Sequence, residues 1–347
     1  MTWATLVLII FFALSSTLWG VPAAGGLDIF WCDVEGGAAT LIVTPAREAL
    51  LVDSGWPGER DPERIAKLAR EVAGIQQIDH YITSHWHTDH FGGIQRLAEL
   101  IPIKNFYDHG FPQLPQSDIT PQLVDNYKRA SKGQPTVLKP GDQIRLKQLQ
   151  GTPNVTLRVY AAHGVVSGEK SDAGQIRECS ANPKHEAKAL DNSDNARSLA
   201  FVLAFGGWEF FDAGDLTWNV EHKLVCPKSL VSPVDVYQVT HHGLDASNHP
   251  ALIQALQPRV AVMNNGAKKG GTEAVVRLLK STPSVEALFA VHRNVQTKPE
   301  DNADPALTAN DVEQCSGEYI RLSVAPDSKS YTVAVPSKKT SRTFSTK

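Results

Sequence analysis

No two of the four cysteines stand in a CxxC pair, so a zinc site founded on paired cysteines is not expected. Concentrated basic charge is also missing. The formal net charge is -3, and the one basic run is the solvated tail from Lys338 to Lys347. Phosphate-backbone binding rests on clustered Lys and Arg, so no stable nucleic-acid complex is implied. There is no internal repeat with a period of about 20–50 residues, which argues against a solenoid or propeller. What is present is ordinary for a globular protein: 42% hydrophobic and 20% charged residues. At 347 residues the chain exceeds the usual domain length, but layered α/β folds reach this size as one unit.

The start of the chain departs from that average. Residues 2–18 carry no charge and are mostly apolar, and small residues follow at Val21-Pro22-Ala23 and Ala23-Ala24-Gly25. This predicts an export signal over residues 1–25 and a mature chain beginning between Ala24 and Gly26, outside the cytoplasm. An uncleaved membrane anchor is the alternative, because the run is barely long enough to span. Exported cysteines can oxidise. Cys32 lies in an apolar strand and reads as a small buried hydrophobe, while Cys179 and Cys226 lie in polar stretches and are the candidates for pairing.

Strands are predicted at residues 27–30, 39–43, 49–53, 78–83, 103–107, 155–161, 198–204, 208–211, 235–240, 260–263, 319–324 and 331–335. Helical periodicity is seen at 61–72, 94–100, 250–256 and 272–280. Residues 167–194 are polar and read as a long surface excursion, and residues 337–347 as a flexible basic tail. Strands occur both in hairpins and alternating with helices, in two halves of the chain. Two packed sheets with helices on their outer faces fit that order, as one domain over residues 26–336. Polar residues gather just after strand ends: Asp53, His85 to His90, Asp215 and His241-His242.

The run His85-Trp86-His87-Thr88-Asp89-His90 is hard to place without a metal. Three imidazoles and a carboxylate each need a partner if buried, at about 1–3 kcal/mol apiece when unpaired. Imidazole nitrogen with carboxylate oxygen suits zinc and its first-row neighbours. Asp215, in Asp212-Ala213-Gly214-Asp215, follows an apolar strand and a glycine; taken alone it also reads as a helix N-cap. His241-His242-Gly243 ends another strand, where one histidine can ligate and the other support it.

HxHxDH followed by Gly92-Gly93 resembles the signature of metallo-β-lactamase-fold hydrolases. The stretches from Asp33 to Ile42 and from Leu51 to Gly55, Asn195 to Leu199, Gly214-Asp215 and His241-His242-Gly243 are similar, in order and spacing, to the β-lactamase-like domain of the ComEC competence proteins. The likeness covers about residues 27 to 265. It implies a four-layer αββα sandwich and a site for two divalent ions, zinc first and manganese second. By the resemblance, His85, His87, Asp89, His90, Asp215 and His241 are ligands, and Asp89, Asp215 and His242 are the catalytic set. Asp215 bridges the ions, and Asp53 orients a ligating histidine. ComEC proper carries its domain beside a membrane channel, and this chain is expected to lack one, so DNA uptake is not inferred. Class B β-lactamases commonly use another residue type at the position of Asp215, which argues against that role.

One ligand position stays open. Relatives place a histidine four residues before a strand-opening serine; here that serine is Ser198 and the position is Asp194, beside Asn195. Asp194 is favoured, with Asn195 and the more distant His163 as alternatives. Elsewhere, His109 reads as a turn residue near the rim, Glu221 as a brace, and Trp56 and Trp86 as pocket wall or core. His80, His185, His222, His249 and His292 have no partner motif, so solvated or capping roles are expected. Asn264-Asn265-Gly266 reads as a turn near the rim. The expected function is hydrolysis by a metal-activated hydroxide, with a phosphodiester of small-molecule or nucleic-acid type as substrate. The alternatives are hydrolysis of a small lactone, lactam or thioester and, from another class, a non-catalytic metal-binding sensor.

Overall fold

In the computed structural model, which describes residues 24–166 and 188–347, alternate side chains along the strands enter different cores. From Leu27–Trp31, Leu27, Ile29 and Trp31 face a core shared by two sheets, while Phe30 faces a core closed by helices. From Ala200–Phe205, Phe201, Leu203 and Phe205 point inward, and Ala200 and Val202 point out beneath other helices. A period of two with both faces apolar requires cover on both sides. Arg60–Lys67, Ile94–Leu100 and Pro121–Ala130 cover the first sheet. Trp218–Val225, Pro250–Leu256 and Glu273–Ser281 cover the second. The result is the expected αββα sandwich.

The first sheet runs Thr340–Ser345, Ser330–Val335, Ile320–Val324, Leu27–Trp31, Thr40–Val43, Ala49–Val52, Ile78–Ile82, Ile103–Asp108, Thr136–Val137. The second runs Thr308–Asn310, Ala287–His292, Val260–Met263, Val236–Gln238, Trp208–Asp212, Ala200–Phe205, Val155–Ala162, Gln143–Ile144. Each contains a parallel stretch: Ala49–Val52 through Thr136–Val137, and Trp208–Asp212 through Thr308–Asn310. The carboxyl ends of parallel strands are where side chains converge without a tight hairpin in the way. The sheets meet through Trp31 and Phe210, whose rings lie edge to face at 6.0 Å. The indole N–H of Trp31 donates to Gln238 at 2.7 Å, so this large ring is buried without an orphaned donor.

Several expectations need correction. Residues 337–347 are not a flexible tail: Thr340–Ser345 pairs antiparallel with Ser330–Val335 as an edge strand. Phe344 drives this by stacking on Tyr331 at 5.3 Å, while Lys339 and Arg342 stay exposed, where charge discourages further edge pairing. The looser middle contains the helix Pro121–Ala130, anchored by Leu123, Val124 and Tyr127. His80 lies within Ile78–Ile82, buried between Glu48 at 3.2 Å and the Tyr107 hydroxyl at 3.1 Å. Cys32 is buried with a free thiol, as expected, and Cys226 is disulfide-bonded. Its expected partner Cys179, together with His185, residues 1–23 of the export signal and most of the 167–194 excursion, lies outside the described residues. Among the described residues no helix is long and apolar enough to cross a membrane.

Candidate metal centre

The strand Ile78–Ile82 delivers the histidine run to the one-turn helix Thr88–Phe91. Asp53 ends the neighbouring parallel strand in a left-handed conformation, φ 64°, which turns its carboxylate across to that run. One oxygen accepts the Ser84 N–H at 2.8 Å. The other accepts the Ser84 hydroxyl at 2.7 Å and lies 2.7 Å from His90 Nδ1. Asp53 therefore fixes which nitrogen of His90 points into the site, the orienting role expected for it.

From the other half, the turn at Gly214 brings Asp215 in. Gly214 has φ +51°, and a Cβ there would sit 2.9 Å from that of Ser84, so only glycine permits the two halves to meet this closely. Asp215 is not a helix cap, since Thr217 holds that position before Trp218–Val225. His241 and His242 both take left-handed backbone, φ 55° and 54°. Each costs about 1–3 kcal/mol and persists only where surrounding contacts enforce it. Ser247 Oγ lies 3.1 Å from His241 Nδ1, and the Asn264 carbonyl lies 3.2 Å from His242 Nδ1, so both Nε2 atoms face inward.

Everything converges on one oxygen. Asp215 Oδ2 lies 3.2 Å from His90 Nε2, 3.3 Å from His241 Nε2, 3.4 Å from His242 Nε2 and 3.9 Å from His85 Nε2. Asp89 Oδ2 lies 3.4 Å from His90 Nε2 and 3.3 Å from His242 Nε2. Donor atoms of Asp89, His90, Asp215 and His242 all fall within 4.8 Å of one another. His85 Nε2 is buried and has no hydrogen-bond partner. Buried polar atoms are normally satisfied, and a convergent set of nitrogens and carboxylate oxygens with an orphan among them fits divalent cations.

The electrostatics are those of a tightly coupled group. Burial opposes ionisation of Asp215, but His241, His242 and His90 outweigh it and hold its carboxyl well below the usual range. Burial, then the neighbouring His90 and His87, pushes His85 well below the ordinary imidazole range, leaving it neutral. Against its own burial, His90 is raised well above that range by Asp215, Asp89 and Asp53.

The assignment of the histidine pair shifts. His242, expected beside the ligands, belongs to the four-donor group, and His241, outside that group, still reaches Asp215 Oδ2 at 3.3 Å. His87 is at the rim, its Nε2 3.0 Å from Asp118. Asp194 stands outside the four-donor group. Its Oδ2 accepts the Trp86 N–H at 2.6 Å and lies 3.1 Å from His109 Nε2, bracing the backbone between His85 and His87. Its Oδ1 is buried without a hydrogen-bond partner, as is Asn195 Oδ1. His163 is exposed and faces His109, with ring centroids 5.7 Å apart. His109 is thus a buried brace, not a free turn residue.

Trp86 is fully buried and belongs to the core. Trp56 lies at the rim under Lys269, whose ammonium is 5.4 Å from the ring and pairs with Asp89. Glu221, expected to brace a ligand, accepts the His249 N–H at 2.8 Å and supports the segment after the histidine pair. His249 caps Pro250–Leu256. Sequence reasoning passed over Asp118, Ser84 and Lys269. Ser84 adjoins the histidine run and is the one whose position gave a signal; Asp118 and Lys269 belong to no motif.

The profile of the metallo-beta-lactamase superfamily matches residues 32–169. ComE operon protein 3 of Bacillus subtilis is 24% identical over 261 residues, covering 71% of this chain and 29% of that protein. A UPF0173 metal-dependent hydrolase of Cupriavidus taiwanensis is 31% identical over 88 residues, covering 25% of this chain and 29% of that protein. The chain spans less than a third of the length of these relatives. Among solved structures, a metal-dependent hydrolase from Parabacteroides distasonis aligns at 13% identity with a TM-score of 0.39, over 76% of this chain and 92% of that one. Superfamily match, αββα layering and the histidine–carboxylate cluster agree: the chain has the metallo-β-lactamase fold and is a ComEC-like relative of that superfamily's metal-dependent hydrolases.

Proposed function

We propose that the chain is a hydrolase working through two divalent ions, zinc by its donor chemistry, on a phosphodiester substrate. The observation that carries this is Asp215 Oδ2, one carboxylate oxygen with four imidazole Nε2 atoms at 3.2–3.9 Å. Asp89, His90 and His242 would hold one ion, and His85, His87 and His241 the other, with Asp215 shared. Asp194 Oδ1, which makes no hydrogen bond and lies 3.8 Å from Arg197 Nη1, would be the carboxylate oxygen to complete the His85 and His87 side. Such a pair supplies a hydroxide nucleophile at neutral pH and positive charge for the oxygen that gains electrons.

The protein's share of the work is orientation. Asp53 and Ser84 hold His90, Ser247 holds His241, and the Asn264 carbonyl holds His242. A ligand ring fixed through its outer nitrogen loses no freedom when its inner nitrogen binds. Lys269 supports the phosphodiester preference: its ammonium sits at the rim beside Asp89, where an anionic substrate oxygen would meet it. Export, supported by the uncharged residues 2–18, would set this activity outside the cytoplasm.

The purified chain with zinc or manganese should release p-nitrophenol from bis-p-nitrophenyl phosphate. A chelator or His242→Ala should abolish the release. Faster turnover of a lactone or a chromogenic cephalosporin would move the substrate class to the carbonyl side. Stoichiometric metal with no turnover of any of the three would support the sensor reading instead.

A further inference from the structure

We propose a second, separate metal site, built from Asp33, His292 and Cys315, for one thiophilic divalent cation such as zinc. Asp33 follows the strand Leu27–Trp31, His292 closes Ala287–His292, and Cys315 lies in the loop before Ile320–Val324. Far apart in sequence, they bring one donor atom each within 4.8 Å of the others. His292 Nε2 lies 3.0 Å from Asp33 Oδ1, Cys315 Sγ 3.0 Å from Asp33 Oδ2, and Cys315 Sγ 3.6 Å from His292 Nε2. Tetrahedral zinc with ordinary Zn–S, Zn–N and Zn–O lengths needs such donors roughly 3.3–3.6 Å apart. The Sγ–Nε2 and Nε2–Oδ1 separations are within a few tenths of an ångström of that range, and the Asp33 carboxylate offers its second oxygen to the sulfur.

The geometry favours a metal over a nucleophilic relay. A thiol–imidazole–carboxylate relay needs one ring nitrogen on the thiol and the other on the carboxylate. Here Nε2 alone faces both groups, and Nδ1 is buried without a hydrogen-bond partner. Asp33 and His292 are fully buried, whereas Cys315 is partly exposed, which leaves a solvent side for entry and a fourth ligand. The thiol is free, unlike disulfide-bonded Cys226.

The surroundings hold this arrangement in place. Arg64 donates to the Cys315 carbonyl at 3.1 Å and to Asp33 Oδ2 at 3.2 Å. Gly317, φ +81°, lets the loop close on Arg64, because a Cβ there would lie 2.5 Å from its Nε. Asn310 fixes the same loop through both hydrogen-bonding groups of the Glu318 backbone, at 2.9 and 3.0 Å. Asn265 does the same for the backbone of His292, at 2.8 and 3.2 Å. Binding would displace the thiol proton and the Nε2 proton. The ion and Arg64 then balance Asp33, the thiolate and Glu35, which lies 3.2 Å from Arg64.

The site also touches the main centre through the backbone. Asp33 opens the loop whose Ala38 N–H donates to the Asp89 carbonyl at 3.1 Å. Asn265 adjoins Asn264, whose carbonyl holds His242. An ion here would tie together the two segments that carry Asp89 and His242.

Cobalt separates the two sites, because no sulfur belongs to the histidine–carboxylate cluster. The chelator-stripped full chain, titrated with Co²⁺, should develop a thiolate-to-cobalt charge-transfer band in the near ultraviolet. Cys315→Ser should lose the band and about one bound ion while keeping the visible cobalt absorption of the main cluster. Cys32→Ser should leave the band intact. Zinc should slow alkylation of Cys315 by iodoacetamide at least about tenfold in the wild type and have no such effect in His292→Gln. A wild type without the band, a band that survives Cys315→Ser, or alkylation indifferent to zinc would each overturn the proposal. None of these outcomes depends on whether a phosphodiester is cleaved.

Discussion

The N-terminal half supplies His85, His87, Asp89 and His90 from one turn after a strand, whereas the C-terminal half supplies Asp215, His241 and His242 from two separate strand ends. Their supports differ too. On the N-terminal side a buried carboxylate, Asp53, anchors His90 while the histidine run itself keeps ordinary backbone angles. On the C-terminal side the anchors are neutral, a serine hydroxyl and a carbonyl, and the backbone is left-handed at both histidines. One half fixes its ligands with charge and the other with chain geometry. The first set of ligands is contiguous in sequence, whereas the second is gathered from separate segments.

The largest effect should come from the residue on which both halves meet. Asp215→Asn keeps the shape and removes the charge shared by four imidazoles. Activity should fall by more than the roughly 10–100-fold contributed by outer partners of metal ligands, and metal content should drop by at least one ion. Two bound ions and near wild-type turnover would mean that the halves do not share a centre.

The contrast in supports can be measured next. Asp53→Asn should weaken metal affinity by about 10–100-fold, because it takes the charge from the partner of His90. Ser247→Ala removes only a neutral contact from His241 and should cost less. Competitive titration against a coloured chelator gives both numbers, and the reverse order would contradict the contrast.

This contrast also explains what could be read from the chain. His85 to His90 declare themselves because ligands within one turn must be neighbours in sequence. Asp53 and Asp215 were legible because each follows an apolar strand at a point where the chain must turn. The roles of His241 and His242 were not, since two adjacent left-handed residues send both rings inward and period-two reasoning expects one of them to point away. Asp194 was expected as a ligand, whereas its bond to the Trp86 N–H depends on a loop that leads into a strand of the other sheet. Asp118, His292 and Cys315 find partners only through tertiary contacts. The edge strand Thr340–Ser345 was hidden by its polar residues, which outweigh Phe344 in composition but not in packing.

The smallest effect concerns the brace beneath the histidine pair. Burial pushes the Glu221 carboxyl from 4.5 up to about 7. A folded value above the unfolded one means the fold prefers the protonated acid. Stability from this group is therefore full below about pH 4.5 and is lost as pH rises toward 7. Glu221→Gln mimics the protonated form. Its melting temperature relative to wild type should rise between pH 5 and pH 8, by no more than a few degrees. A difference that is flat with pH would show that Glu221 is not held as an acid.

Anomalous scattering at the zinc edge, from crystals grown with zinc, tests the central claim most directly. The account predicts two peaks about 3.5–4 Å apart on either side of the Asp215 carboxylate, one toward His85 and His241 and one toward His90 and His242. A single peak, or peaks that leave Asp215 out of contact, would contradict it.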